Sequence, residues 1–302
     1  MQGGKRMEPS ISVSIQKQVP GVYHRKLGDI VITSLLDGYL DIPKELFVGV
    51  KEEDEINLIQ DSSHPDAYKV LMTGFLINQN GRLTLIDPGS SIYAEPTLGT
   101  LMENLKAAGI SPDQIDTILL THIHPDHSNG LLDENGERAF KNAEVVVHIK
   151  EHEFWLDESN VDKVHPILQP TFEITKKAYS LYKEQWRTFD QEEEVLSGIK
   201  AINSAGHTLG HTSYLITSQN EKLLIWGDTV HIPTIEVNKP EVKFIMDIDP
   251  ELSLKSRKKI YDMACNEEIL IGGMHIDFPG FGYVKRREDS YHFVQEQWNG
   301  EL

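Results

Sequence analysis

The sequence predicts a single α/β domain in which two β-sheets face each other with helices on the outside, and three observations carry that reading. β-rich runs come in hairpins in both halves of the chain. Single helices are interleaved between them, and no repeat, low-complexity tract or clear linker divides the 302 residues. The composition, 39% hydrophobic and 25% charged, suits a globular chain with a substantial core.

Taken in order, residues 1–20 are polar and aperiodic, and an N-terminal arm is expected over 1–27, with one domain over 28–302. A strand-like run from Asp29 to Leu36 stops at the turn signal Asp37-Gly38. Val70 to Ile77 and Leu83 to Ile86 form a hairpin across Asn78-Gln79-Asn80-Gly81. Pro96 to Ala108 carries Leu98, Leu101, Met102 and Leu105 at helical spacing, and Gly109 is its stop. Strands follow at Ile115 to Leu120 and at Val145 to Val147. Residues 150–190 are charged and aromatic with two helical stretches, and read as a lid-like insertion. A second hairpin joins Tyr214–Thr217 to Lys222–Trp226. A helix over about Leu252 to Cys265 and a strand at Ile269 to Ile271 close the pattern.

The charge narrows the partners. A formal net charge of −18 repels polyanions, so no nucleic acid or anionic membrane is expected, although bound divalent cations would cancel part of it locally. Cys265 is the only cysteine, which excludes an intramolecular disulfide and a cysteine-based zinc site. The N-terminal stretch has no apolar signal core and no segment approaches membrane-span length, so a cytoplasmic protein is expected.

The chemistry concentrates at strand ends. Thr121-His122-Ile123-His124-Pro125-Asp126-His127 follows directly on a β-rich run, where a rigid scaffold displays reactive side chains. Three histidines and a carboxylate this close cannot all be buried without a cation to organise them. Gly206-His207-Thr208, Gly227-Asp228-Thr229 and Gly273-Met274-His275 each add a ligand-type residue beside a glycine, which would let the backbone come close to a metal centre. Imidazole and carboxylate donors suit zinc first, and also manganese, iron or cobalt.

HxHxDH followed by GH, GD and a C-terminal GxH resembles the metallo-β-lactamase superfamily of dinuclear hydrolases, over about residues 28 to 280. The resemblance implies a four-layer αββα sandwich and two divalent metal ions. It assigns one ion to His122, His124 and His207, the other to Asp126, His127 and His275, with Asp228 bridging. Within the superfamily the chain is most similar to the methyl parathion hydrolase-like branch, which contains lactonases. Gln18-Val19-Pro20-Gly21, Leu36-Asp37-Gly38, Pro96-Thr97-Leu98-Gly99, Phe154-Trp155-Leu156 and Phe278-Pro279-Gly280-Phe281-Gly282 carry that similarity. A homodimer is also implied.

Two metals roughly 3.5–4 Å apart share a water, lower its pKa and so generate a hydroxide nucleophile. The expected reaction is cleavage of a small neutral lactone or carboxylic ester, with organophosphate triesters as a further substrate. Asp126 is a ligand that could also carry a proton to the leaving group. His231, three residues past Asp228, either donates a hydrogen bond to a substrate oxygen or only lines the pocket. His211 and Asp87 read as residues that orient ligands. Tyr93, Trp155, Phe172 and Phe278 are expected as pocket walls, by resemblance. A glyoxalase II-like thioesterase, with Lys285-Arg286-Arg287 as its basic patch, and a non-catalytic metal-binding protein on the same scaffold are the alternatives.

Overall fold

The computed structural model describes residues 18–51, 69–91, 96–288 and 290–302. The first half supplies β1 (Val22–Leu27), β2 (Ile30–Asp41), β3 (Phe47–Val48), β4 (Lys69–Gln79) and β5 (Arg82–Ile86). Then come α1 (Leu101–Ala107), β6 (Thr117–Leu119), α2 (Pro125–Ser128), β7 (Glu144–His148), α3 (Ile149–Leu156), α4 (Pro170–Tyr182) and β8 (Trp186–Phe189). The second half has β9 (Glu194–Leu196), β10 (Ile199–Asn203), β11 (Thr212–Ser218), β12 (Glu221–Ile225) and α5 (Pro233–Glu236). It ends with β13 (Lys243–Phe244), α6 (Pro250–Asn266), β14 (Leu270–Gly272), β15 (Phe281–Arg287) and β16 (Ser290–Gln295).

Among the described residues these make two seven-stranded sheets and a two-stranded ribbon. The first sheet runs β1-β2-β4-β5-β6-β7-β8, antiparallel up to β5 and parallel beyond it. The second runs β16-β15-β14-β12-β11-β10-β9, with β12 and β14 parallel.

Side-chain alternation shows why the sheets stack. In β4, Phe75 and Ile77 point into the core between the sheets, while Leu76 points to the outer face of the first. In β12, Leu223 and Ile225 join the same central core, and Leu224 joins an outer one with Ile260, Tyr261 and Ala264 of α6. The outer face of the first sheet is covered by Leu101 and Leu105 of α1, Phe154 and Trp155 of α3, and Phe172, Ala178 and Tyr182 of α4. Helix, sheet, sheet, helix is the order of layers that the sequence pattern predicts.

Three expectations need adjustment. Val22–Leu27, placed in an N-terminal arm, is the edge strand of the first sheet, in register from Val22↔Leu35 to Leu27↔Ile30; residues 1–17 of that arm lie outside the described residues. The helix expected from Pro96 starts at Leu101, because Thr97 is held by β2 instead: its carbonyl accepts from the Tyr39 N–H and its hydroxyl donates to the Tyr39 carbonyl. Asp37 then accepts from the Leu101 N–H at 3.0 Å and caps the helix from outside it. The two helices within 150–190, expected in a lid-like insertion, form part of the outer layer of the first sheet, with Trp155 and Tyr182 fully buried.

Candidate metal centre

Parallel strands place the reactive loops together. β6, β12 and β14 each end at the same edge of the sandwich, and the segments that leave them carry His122 to His127, Asp228 and His275. The connection from β10 to β11 brings His207. These seven residues converge in two groups. His122, His124, His207 and Asp228 form one; Asp126, His127, Asp228 and His275 form the other, and in each the candidate donor atoms lie within 4.8 Å of one another.

Asp228 joins the groups through different oxygens. Its Oδ2 lies 3.7 Å from His122 Nε2 and 3.4 Å from His207 Nε2. Its Oδ1 lies 3.1 Å from His127 Nε2 and 3.0 Å from His275 Nε2. Asp126 Oδ2 is 3.1 Å from His127 Nε2 and 3.9 Å from His275 Nε2.

Whether these residues fit a pair of cations can be judged from their unused atoms. Nε2 of His122, His127 and His275, together with Asp228 Oδ1, are buried and make no hydrogen bond, and His124 faces the first group through Nδ1, 3.0 Å from His207 Nε2. Buried polar atoms are normally satisfied, so several converging orphans of donor-ligand type are what a cation site leaves when only protein atoms are counted. The electrostatics agree. Burial, reinforced by the neighbouring imidazoles, holds His122 and His124 well below the usual histidine range, in the neutral form that binds metals. Burial also opposes a charge on His127, but Asp228, Asp126 and Asp87 outweigh it and hold that residue well above its usual range. Negative charge is thus concentrated in the second group, which favours a cation there.

The ring nitrogens that face away are fixed individually. Asp87 Oδ2 lies 2.7 Å from His127 Nδ1 and accepts from the Thr121 hydroxyl at 2.7 Å, while Oδ1 accepts from the Thr121 N–H at 2.8 Å. Asp247 Oδ1 lies 2.8 Å from His207 Nδ1, and the Leu71 carbonyl 2.9 Å from His275 Nδ1. His211 Nε2 accepts from the Asp228 N–H at 2.8 Å, with its Nδ1 2.8 Å from the Ser204 hydroxyl. Burial pushes His211 down to about 3, so it stays a neutral acceptor. Partners of this kind set tautomer and ring direction.

Glu151 braces the first group, and sequence reasoning missed it. This fully buried carboxylate accepts from the N–H of Ile123, between His122 and His124, at 2.9 Å, and from that of Gly210, just past His207, at 2.7 Å. Trp155 Nε1 donates to it at 3.1 Å. Asp247 was missed too. Neither has a local motif, because their partners lie far away in sequence.

The glycines beside the ligands have a different reason from the one expected. At Gly206, φ +139°, an added Cβ would come within 2.1 Å of the Ser253 backbone in α6. At Gly227, φ +57°, it would meet His211 Nε2 at 2.5 Å. Their role is close packing of the loops on α6 and on His211.

The aromatic walls also differ from expectation. Trp155 and Phe172, 0% and 2% exposed, pack on each other in the helix layer, and Trp155 supports the site from behind, by an edge contact with His124 at 5.6 Å and by its hydrogen bond to Glu151. Phe278 is half-buried against the core between the sheets, and Tyr93 lies outside the described residues. The rings that do face the centre come from the β3–β13 ribbon. Phe244 lies 4.1 Å from the His231 ring and 6.1 Å from that of His207, and Phe47 packs against Phe244 at 5.0 Å. Two-residue strands have no readable periodicity, so the sequence carried no signal for this wall. His231 itself is buried, with Nε2 3.3 Å from Asp228 Oδ2.

A two-sheet sandwich with paired histidine–aspartate clusters at one edge defines a class, and residues 73–275 match the metallo-beta-lactamase superfamily. The chain belongs to that superfamily. It is similar to the N-acyl homoserine lactonase of Bacillus thuringiensis, 30% identical over 168 residues, which are 55% of this chain and 58% of that protein. The match therefore spans just over half the length of the curated relatives. Among solved structures it is similar to the hydrolase AbOPH of the beta-lactamase superfamily, at 34% identity and a TM-score of 0.87, covering 94% of this chain and 100% of that one. It is also similar to AidC, a dizinc quorum-quenching lactonase solved with the product N-hexanoyl-L-homoserine, at 26% identity and a TM-score of 0.84, covering 93% and 99%. No helix among the described residues is long and apolar enough to cross a membrane.

Proposed function

We propose that this protein is a metal-dependent hydrolase that opens lactones, N-acyl homoserine lactones first among them, at a dinuclear zinc centre. The observation that carries the reading is the split of Asp228: each oxygen faces a separate cluster of imidazoles. Similarity to a homoserine lactonase and to a dizinc lactonase supports the substrate class and the metal.

His122, His124, His207 and Asp228 would hold one ion, and Asp126, His127, His275 and Asp228 the other. Two adjacent divalent cations supply a lowered water pKa and polarisation of the carbonyl oxygen. In the reaction, water oxygen bonds to the acyl carbon, the acyl–oxygen bond of the ring breaks, and the ring oxygen takes a proton. Asp126, whose side chain is 18% exposed, is the carboxylate placed to carry that proton. His231 offers Nε2 to the substrate beside Asp228, and Phe244 and Phe47 form an apolar wall that turns bulk water away.

The thioesterase alternative is less favoured, because two residues of its basic patch are paired: Lys285 of β15 with Glu268, just past α6, and Arg286 of β15 with Asp262 of α6. A panel of acyl-homoserine lactones, aryl esters and paraoxon-like triesters, run with the zinc, manganese and cobalt forms, tests the proposal. Lactones should be turned over fastest; turnover of aryl esters or triesters with lactones inert would reassign the substrate.

A further inference from the structure

The segment that leaves Asp228 folds back on itself. Pro233 opens the single helical turn α5, and Glu236 at its end returns a carboxylate to the start. Glu236 Oε2 accepts from the N–H groups of His231 at 2.6 Å and Ile232 at 2.7 Å. Its Oε1 faces Arg257 Nη2 at 2.9 Å and His231 Nδ1 at 3.5 Å. Glu236 and Arg257 are both fully buried.

Arg257 reaches this point from α6 and uses its other donors on the chain around it. It donates to the carbonyls of Thr229 at 2.9 Å, Pro240 at 3.0 Å and Val242 at 2.6 Å. The guanidinium therefore ties down the chain on both sides of His231. The His231 ring is further held between Phe244 at 4.1 Å and His275, stacked at 5.4 Å. Both of its ring nitrogens are buried without a well-formed hydrogen bond, and Nε2 points to the shared carboxylate.

A buried ion pair is a poor way to gain stability, because apolar residues of similar volume commonly do as well. An apolar residue could not accept from the His231 and Ile232 N–H groups and at the same time set a carboxylate oxygen beside the His231 ring. We propose that Glu236, locked by Arg257, is a positioning residue: it fixes the His231 imidazole so that Nε2 faces the substrate oxygen beside Asp228. The proposal rests on the hydrolase reading for its substrate, and on geometry alone for the fixed ring.

The test uses the metal-loaded full chain with Glu236→Gln, His231→Ala and the double variant. Glu236→Gln should lower kcat on a homoserine lactone by about 10–100-fold with KM and metal content little changed, as for other residues that orient a reacting group. The double variant should be no slower than His231→Ala alone. Effects that multiply in the double variant, or an unchanged kcat in Glu236→Gln, would overturn the proposal. Crystal structures of the wild type and Glu236→Gln give a readout that needs no activity. The ring should turn away from Asp228 in the variant, and an unmoved ring would count against the proposal even if no lactone were hydrolysed. If Glu236→Gln does not fold, Glu236→Asp, which keeps the charge and shortens the reach, is measured against the same criteria.

Discussion

The two halves of the site use the same kinds of side chain but are supported differently. In the first, His122, His124 and His207 are all buried, and Glu151 links the loops that carry them while Asp247 holds His207. In the second, Asp126 reaches solvent, His127 is held by Asp87, and His275 by only a backbone carbonyl. The first half is therefore the rigid anchor. The second carries more of the carboxylate charge and, at Asp126, the more exposed side chain. Asp228 makes the two into one unit.

Breaking that shared residue has the largest expected effect. Asp228→Ala should reduce lactone turnover to background and strip ions from both halves, as read by elemental analysis of the purified protein; retention of a full pair of ions would show that the halves are independent. Next in size are the two carboxylates behind the ligands. Asp247→Asn should weaken ion binding by about 10–100-fold at the first half, and Asp87→Asn by a similar factor chiefly at the second, with a smaller loss at the first through Thr121, whose hydroxyl lies 3.0 Å from His122 Nδ1. Asp87→Asn should be the more damaging, because Asp87 also holds Thr121 through two bonds. Competition with a chromophoric chelator resolves the two steps, and equal loss from both halves would contradict the division.

The smallest effects sharpen the anchor. Glu151→Gln leaves a buried donor without its full partner and should cost about 1–3 kcal/mol in denaturant unfolding. Trp155→Phe removes one hydrogen bond to the same carboxylate and should cost about 0.5–1.5 kcal/mol. Both should loosen the first half alone.

How much of this was legible in the sequence follows the range of the interactions. The layers were readable because alternation in runs such as Phe75-Leu76-Ile77 is a local pattern. The seven clustered residues were readable because they stand beside such runs, His207 ahead of a hairpin and the others just past a strand. The β15–β16 hairpin was not, since Lys285, Arg286 and Arg287 mask its alternation with charge. Glu151, Asp247, Glu236 and Arg257 were invisible because their roles exist only once remote segments meet. Trp155 and Phe172 were placed in the pocket by resemblance, but helical position turns them into the outer core, and Phe244 takes the wall instead.

Whether the two halves act as one dinuclear centre on a lactone is tested most directly by titrating zinc into the chelator-stripped protein while following proton release from N-hexanoyl homoserine lactone. Activity should rise to its maximum only as the second equivalent binds. Full activity at one equivalent, or none with both bound, would contradict the account.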